Sequence, residues 1–151
     1  MIIRSLFSSV LILTALALAG CDESLSTLAG PTPNLEPTFS SIQRDIFEAT
    51  DAAGRAACVN CHTDAGGRTP QSGLNLRHEV AYANLVGITS RGKPQLQRVA
   101  PGEPDNSYLV HKVEGGPDIT GQRMPRTGGP YLTEGQVLIL RRWIALGAPN
   151  N

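Results

Sequence analysis

The sequence predicts an all-α fold, a small and loop-rich domain of short helices. Three observations support this prediction. Apolar residues recur at helical spacing in four segments, alternating strand patterns are absent, and 16 Gly and 11 Pro interrupt the chain between the segments. The 151 residues are enough for one such domain after a leading segment is set aside.

The first predicted helix covers residues 39–47. Its apolar residues share one face, and they are Phe39, Ile42, Ile46 and Phe47. Ser40 or Ser41 is available as the N-cap, and we expect Phe47 to point inward. Residues 51–57 either continue this helix or form a separate turn, and residues 63–73 form a glycine-containing loop.

Two helices are predicted in the middle of the chain. Residues 77–86 carry apolar side chains at helical spacing and stop at Gly87. Residues 104–113 begin with Pro104, which suits an early helical position, and stop at Gly115. Residues 89–102 are predicted to be a loop that connects these two helices.

The last helix, residues 133–146, has the clearest signals. Thr133 and Gln136 match a capping box, and Gly147 marks the end. Val137, Leu140 and Ile144 line one side, which we expect to pack across the first helix. Trp143 is expected to fill the core, with a place beside a bound cofactor as the alternative.

Composition limits the classes of partner. The chain has 13 Lys and Arg against 13 Asp and Glu, so its net charge is zero and nucleic acid is disfavoured as a partner. Only three Phe, three Tyr and one Trp are present, which makes a thin core for so loop-rich a chain. A large apolar cofactor would add the buried area that such a small domain lacks.

The beginning of the chain indicates export. Residues 1–20 are predicted to be a secretory signal peptide, because their apolar stretch is short for a membrane span and ends in small residues. The end of this stretch resembles the lipobox of bacterial lipoproteins, Leu18-Ala19-Gly20-Cys21. The resemblance implies that Cys21 is lipidated, and Asp22 resembles a signal for retention in the inner membrane. Residues 21–38, rich in Pro, Ser and Thr, are predicted to be a flexible tether.

Cys58 and Cys61 are followed directly by His62, and four explanations compete for this run. A zinc site would need two ligands from among the three histidines, and a thioredoxin-like pair would need neighbouring strands. A disulfide would close a short, strained loop. Covalent haem attachment needs two thiols and an adjacent imidazole, which the C-x-x-C-H spacing supplies. Bacterial haem attachment occurs outside the cytoplasm, so the predicted export favours haem.

Met124 is the best candidate for a second ligand to the haem iron. It is the only Met that remains after the signal peptide, and it lies in a glycine-rich loop directly before Pro125. His78 and His111 are the rivals, because coordination by two histidines occurs in haem proteins. Arg123 and Arg126 flank Met124 and are candidates to contact the haem propionates, with a solvated surface role as the alternative.

Residues 39–151 resemble single-haem bacterial cytochrome c domains, including those of lipoproteins. The resemblance rests on the early run Cys58 to His62, the late Met124-Pro125, and the closing helix with its end at Gly147 to Asn150. It implies a cytochrome c-like helical domain wrapped around one haem c. Thioether bonds would form at Cys58 and Cys61, and His62 and Met124 would be the axial ligands.

This coordination implies an electron carrier rather than an enzyme, although a subunit that serves an enzyme also fits. The expected partners are redox donor and acceptor proteins, together with a membrane reached through the lipid on Cys21. The expected location is the periplasmic side of a bacterial membrane. The alternatives are a sensor that binds NO or CO at an open haem, an enzyme-associated subunit with two histidine ligands, and an assembly subunit that keeps haem only for its fold.

Overall fold

Four short α-helices, joined by 3-10 turns and long loops, form residues 35–151, the part of the chain that this computed structural model describes. The helices are α1 (Phe39–Ile42), α2 (Ala81–Leu85), α3 (Tyr108–Glu114) and α4 (Glu134–Ala145). Within these residues no sheet forms, and strand pairing is limited to three isolated bridges. The predicted helical, loop-rich fold is therefore confirmed. The predicted signal peptide, Cys21 and most of the tether lie outside the described residues.

The first helix begins at Phe39, as predicted, but its N-cap differs from the prediction. Thr38 has an extended backbone, and its hydroxyl accepts a hydrogen bond from the Ser41 amide at 3.2 Å, so Thr38 is the N-cap rather than Ser40 or Ser41. The helix continues past α1 as a π-helical turn, Gln43–Phe47. Phe47 is 2% exposed, which confirms its inward position. Leu35, from the segment predicted to be a tether, is also buried against the core.

The two middle helices are shorter than predicted. The segment that begins at Arg77 becomes helical only at Ala81. The helix predicted to begin at Pro104 is divided into a 3-10 turn, Pro104–Asn106, and α3. Ser107 causes the division, because its backbone is extended and its hydroxyl donates to the Glu103 carbonyl at 2.9 Å. Gly115, with φ at +82°, ends α3.

Helix α4 agrees with its prediction. Its capping box is complete, with 3.2 Å from the Gln136 amide to the Thr133 hydroxyl and 3.0 Å from the Thr133 amide to the Gln136 side chain. The buried side of α4 packs on α3. It meets the first helix through the rings of Trp143 and Phe39, whose centroids are 5.6 Å apart. The Trp143 indole donates to the Pro149 carbonyl at 2.9 Å, so Trp143 is a core residue.

Removing the cap of α4 should destabilise the domain. Thr133→Ala leaves the Gln136 amide without its side-chain acceptor, and we expect the free energy of unfolding to fall by about 1 kcal/mol. Urea unfolding should show a lower midpoint with an unchanged slope. Thr127→Ala, in an exposed loop, is the control and should leave the midpoint where it was. Equal shifts in both variants would contradict this role of the cap.

The segment between α2 and α3 is an ordered part of the core rather than a plain connection. Val99 is fully buried, and its amide donates to the Leu85 carbonyl at 3.2 Å. Two bridges, Val86 with Val99 and Thr89 with Gln97, fold the segment back on itself. This arrangement buries Ser90, Arg98 and Val99, whereas the other residues of 89–102 are partly or fully exposed. Among the described helices, none is long and apolar enough to cross a membrane.

Candidate functional site

A cavity of about 280 Å³ is lined by residues from several parts of the described domain. Its volume is close to the lower end of the roughly 300–1,000 Å³ that small-molecule and cofactor sites enclose. The first helix, α3, α4 and the loops all contribute to its wall. The apolar part of the wall consists of Ile46, Phe47, Leu74, Leu76, Leu85, Leu109, Val113, Leu132 and Leu140. An apolar wall of this kind favours a ligand with a large apolar surface.

Cys58 and Cys61 begin and follow the 3-10 turn Cys58–Asn60, and both are free thiols. Cys58 lines the cavity, whereas Cys61 is exposed and lies outside the wall. The Cys58 thiol is 3.5 Å from the Ile46 carbonyl and 3.9 Å from an Arg55 nitrogen. Burial raises the pKa of Cys58, and Arg55 partly opposes this shift. The wall therefore holds a protonated thiol at neutral pH, with a second thiol a few residues along the chain.

His62 also lines the cavity, and its ring is fixed in one orientation. Its Nδ1 is 3.1 Å from the Gln71 carbonyl oxygen, and a carbonyl can only accept, so Nδ1 carries the hydrogen. In the neutral ring Nε2 then keeps its lone pair, which is the state that binds a metal. Burial lowers the pKa of His62 and is the largest cause of the shift, so the neutral ring is favoured.

Met124 reaches the same cavity from a distant part of the sequence. It is partly buried, and its amide donates to the Lys112 carbonyl of α3 at 2.7 Å. Cys58, His62 and Met124 therefore all line the same cavity. A thioether and a neutral imidazole are both ligands of haem iron.

The two rival histidines do not line this cavity. The His78 side chain is 71% exposed, and its Nδ1 is 3.7 Å from a Glu48 carboxylate oxygen. The His111 Nε2 is 2.7 Å from the Asp105 carbonyl oxygen, and His111 does not line the cavity. Among residues 35–151, no group of three or more His, Cys, Asp or Glu side chains is arranged to hold a metal ion.

The charged residues of the cavity wall are all cationic: Arg91, Arg98, Lys112 and Arg126. Arg123 and Arg126 were the candidates for propionate contacts, with a solvated surface role as the alternative. Arg126 lines the cavity, whereas Arg123 does not. The Arg123 Nε donates to the Val113 carbonyl at 2.8 Å, and its guanidinium lies 4.0 Å from the centroid of the Tyr131 ring.

Sequence reasoning missed Arg91 and Arg98, which come from the segment predicted to be a connection. Arg98 is largely buried, and its guanidinium donates to the carbonyls of Asn84 at 2.7 Å and Gly73 at 3.1 Å. Burial lowers the pKa of Arg98, and the neighbouring Arg91 adds to this effect. Neither forms an ion pair with any described carboxylate within 4.0 Å. The length of the segment was the available signal, because loops of more than about 12 residues are commonly functional.

Comparison with protein-family models, with curated proteins and with solved structures gives no match for this chain.

Proposed function

We propose that this chain is an electron-transfer protein that carries one covalently bound haem c and is tethered to a bacterial membrane outside the cytoplasm. The observation that carries the proposal is the presence of Cys58, His62 and Met124 at one apolar cavity. Two of these residues belong to a C-x-x-C-H run, and the third is the only Met of the described domain.

The cavity fits a haem in three respects. Its apolar side chains suit a flat porphyrin. His62 offers a free Nε2, because its other ring nitrogen is occupied by the Gln71 carbonyl. Arg91, Arg98 and Arg126 of the wall suit the two negatively charged propionates, and no carboxylate lines the cavity. Cys58 and Cys61 would hold the porphyrin through thioether bonds.

A bound haem would supply the one-electron couple that the protein uses for transfer. The residues of this chain would set the conditions for that couple. The Gln71 carbonyl accepts a hydrogen bond from the His62 ring and orients it, and the apolar side chains of the wall would contact the porphyrin. A thioether from Met124 and apolar surroundings both favour the reduced state, so we expect a raised reduction potential. The charges of Arg91 and Arg98 would keep the haem propionates in their ionised form.

The proposed location rests on the sequence before residue 35. A signal peptide at residues 1–20 would export the chain to the compartment where haem is attached, and acylation of Cys21 would anchor it. The partners would be redox proteins on the same side of the membrane. This chain would exchange electrons with those proteins without binding a substrate, which is the role of a carrier rather than an enzyme.

The direct test is a pyridine haemochrome spectrum of the full chain, produced together with haem-attachment proteins. We expect about one c-type haem per chain, because one C-x-x-C-H run is present. Haem should resist extraction with acidified acetone in the wild type, and the double variant Cys58→Ala with Cys61→Ala should lose covalent haem completely. Cys21→Ala is the matched cysteine control and should keep its haem. A wild-type chain without covalent haem would contradict the proposal.

A further inference from the structure

The segment that carries Met124 has little regular structure, and side chains of α3 hold it in place. The Thr120 amide donates to the Tyr108 hydroxyl at 2.8 Å. The Lys112 ammonium donates to the Thr120 carbonyl at 3.0 Å and also to the Gln122 carbonyl. The Lys112 carbonyl accepts from the Met124 amide at 2.7 Å. Two residues of α3, one turn apart, therefore hold both ends of residues 120–124.

The segment is also tied to residues 89–102. The Thr120 hydroxyl donates to the Gly92 carbonyl at 2.6 Å, and Asp118 forms an ion pair with Lys93. There is little room for a side chain at Gly92, because a Cβ there would lie 3.1 Å from a carbon of the Tyr108 ring. The glycine lets the Tyr108 ring pass close to the backbone of residue 92 and reach Thr120. The bonds of Tyr108 and Lys112, together with these two contacts, form one set that we call the Met124 clamp.

Lys112 is the central residue of the Met124 clamp. Its ammonium donates to two carbonyls of the segment, and its own carbonyl accepts from the Met124 amide. No described carboxylate lies within ion-pair distance of its ammonium, so the carbonyls are its partners. Hydrogen bonds from a charged donor are stronger than neutral ones, and the clamp therefore depends on this side chain more than on any other.

We propose that Lys112 is a positioning residue that holds the Met124 sulfur on the haem iron, an inference that rests on the function proposed above. Lys112 need not touch the iron for this role. Residues 120–124 carry Met124, and their position depends on the bonds to the Lys112 ammonium. Without these bonds the segment would leave this position more often, and a bound haem iron would more often lack its Met124 ligand.

The test compares holoproteins by spectroscopy. Lys112→Met keeps the length of the side chain and removes its donors, whereas Lys112→Arg keeps a charged donor. The readouts are the sulfur-to-iron charge-transfer band at the red end of the ferric spectrum and the rate at which the ferrous protein binds CO. We expect Lys112→Met to retain its haem content, weaken the band and bind CO about tenfold faster, because both charge-assisted hydrogen bonds of the Lys112 ammonium are lost. Lys112→Arg should behave largely as the wild type.

Two further variants separate positioning from a general loss of stability. Thr133→Ala destabilises another part of the domain and should leave the band unchanged. Tyr108→Phe removes the acceptor of the Thr120 amide and should weaken the band in the same direction as Lys112→Met. An unchanged band and CO rate in Lys112→Met, or an equal change in Thr133→Ala, would overturn the inference. If wild-type protein holds no haem, the proposed function fails first, which the haemochrome assay shows separately.

Discussion

Asp51→Asn should lower the free energy of unfolding by about 3–5 kcal/mol, because it leaves a charged guanidinium buried without its partner. The Arg55 side chain is 0% exposed and that of Asp51 is 4% exposed. The Arg55 Nε donates to the Asp51 carboxylate at 3.1 Å, and its Nη1 donates to the Ile46 carbonyl at 3.1 Å. Its Nη2 already lacks a partner among the described residues, so little remains to stabilise the charge after Asp51 is neutralised.

Denaturant unfolding of the holoprotein measures this effect, and two further variants serve as its controls. Arg44→Gln breaks an ion pair with Asp45 in which the Arg44 side chain is exposed, and it should leave the unfolding midpoint nearly unchanged. Adding Arg55→Met to Asp51→Asn removes the unpaired charge and should restore part of the lost stability. A loss in Asp51→Asn no larger than that in Arg44→Gln would show that the buried pair does not stabilise the fold.

This pair also lies beside the proposed haem attachment site. Arg55 approaches both the Cys58 sulfur and the Ile46 carbonyl, which joins the end of the first helix to the turn that bears the cysteine. A structural loss at Arg55 would therefore move Cys58 relative to the cavity. Haem content should accordingly be measured in the same Asp51→Asn samples as their stability.

Local signals explain which parts of the fold could be predicted from the sequence. Helix α4 was predicted well because its capping box and its apolar side are encoded within a few consecutive residues. Residues 89–102 were predicted less well because distant contacts decide their path, such as the bond from the Val99 amide to the Leu85 carbonyl. Periodicity contains no information on such contacts, and the π-helical turn after α1 was missed for the same reason.

The candidate site was predictable to a similar extent. Cys58 and His62 belong to one short run, and Met124 was reached by elimination, so all three could be named before the structure. Arg91, Arg98 and Lys112 could not, because a cation in a loop has the same pattern whether it faces solvent or a cavity. The burial of the Asp51–Arg55 pair could not be predicted for a related reason, because opposite charges four residues apart usually indicate an exposed helix surface.

If Met124 ligates the proposed haem, Met124→Ala should open its iron and should have the largest effect on ligand binding. Without the thioether, the ferric protein should lose its sulfur-to-iron band, and the reduction potential should fall because the ligand that raises it is absent. If the wild-type iron is open in less than about 10% of molecules, the apparent affinity of the ferrous protein for CO should rise at least about tenfold. CO titration and redox titration measure the two effects.

His78→Ala and His111→Ala are the decisive comparisons, because these histidines are the rival ligands. Both already have other partners, Glu48 for His78 and the Asp105 carbonyl for His111, so neither substitution should change the band or the CO affinity. Loss of the band in His111→Ala, with no change in Met124→Ala, would contradict ligation by Met124 while leaving covalent attachment at Cys58 intact. A wild-type ferrous protein that binds CO as readily as Met124→Ala would instead indicate an open haem, and the protein would then be a sensor of small ligands rather than a carrier of electrons.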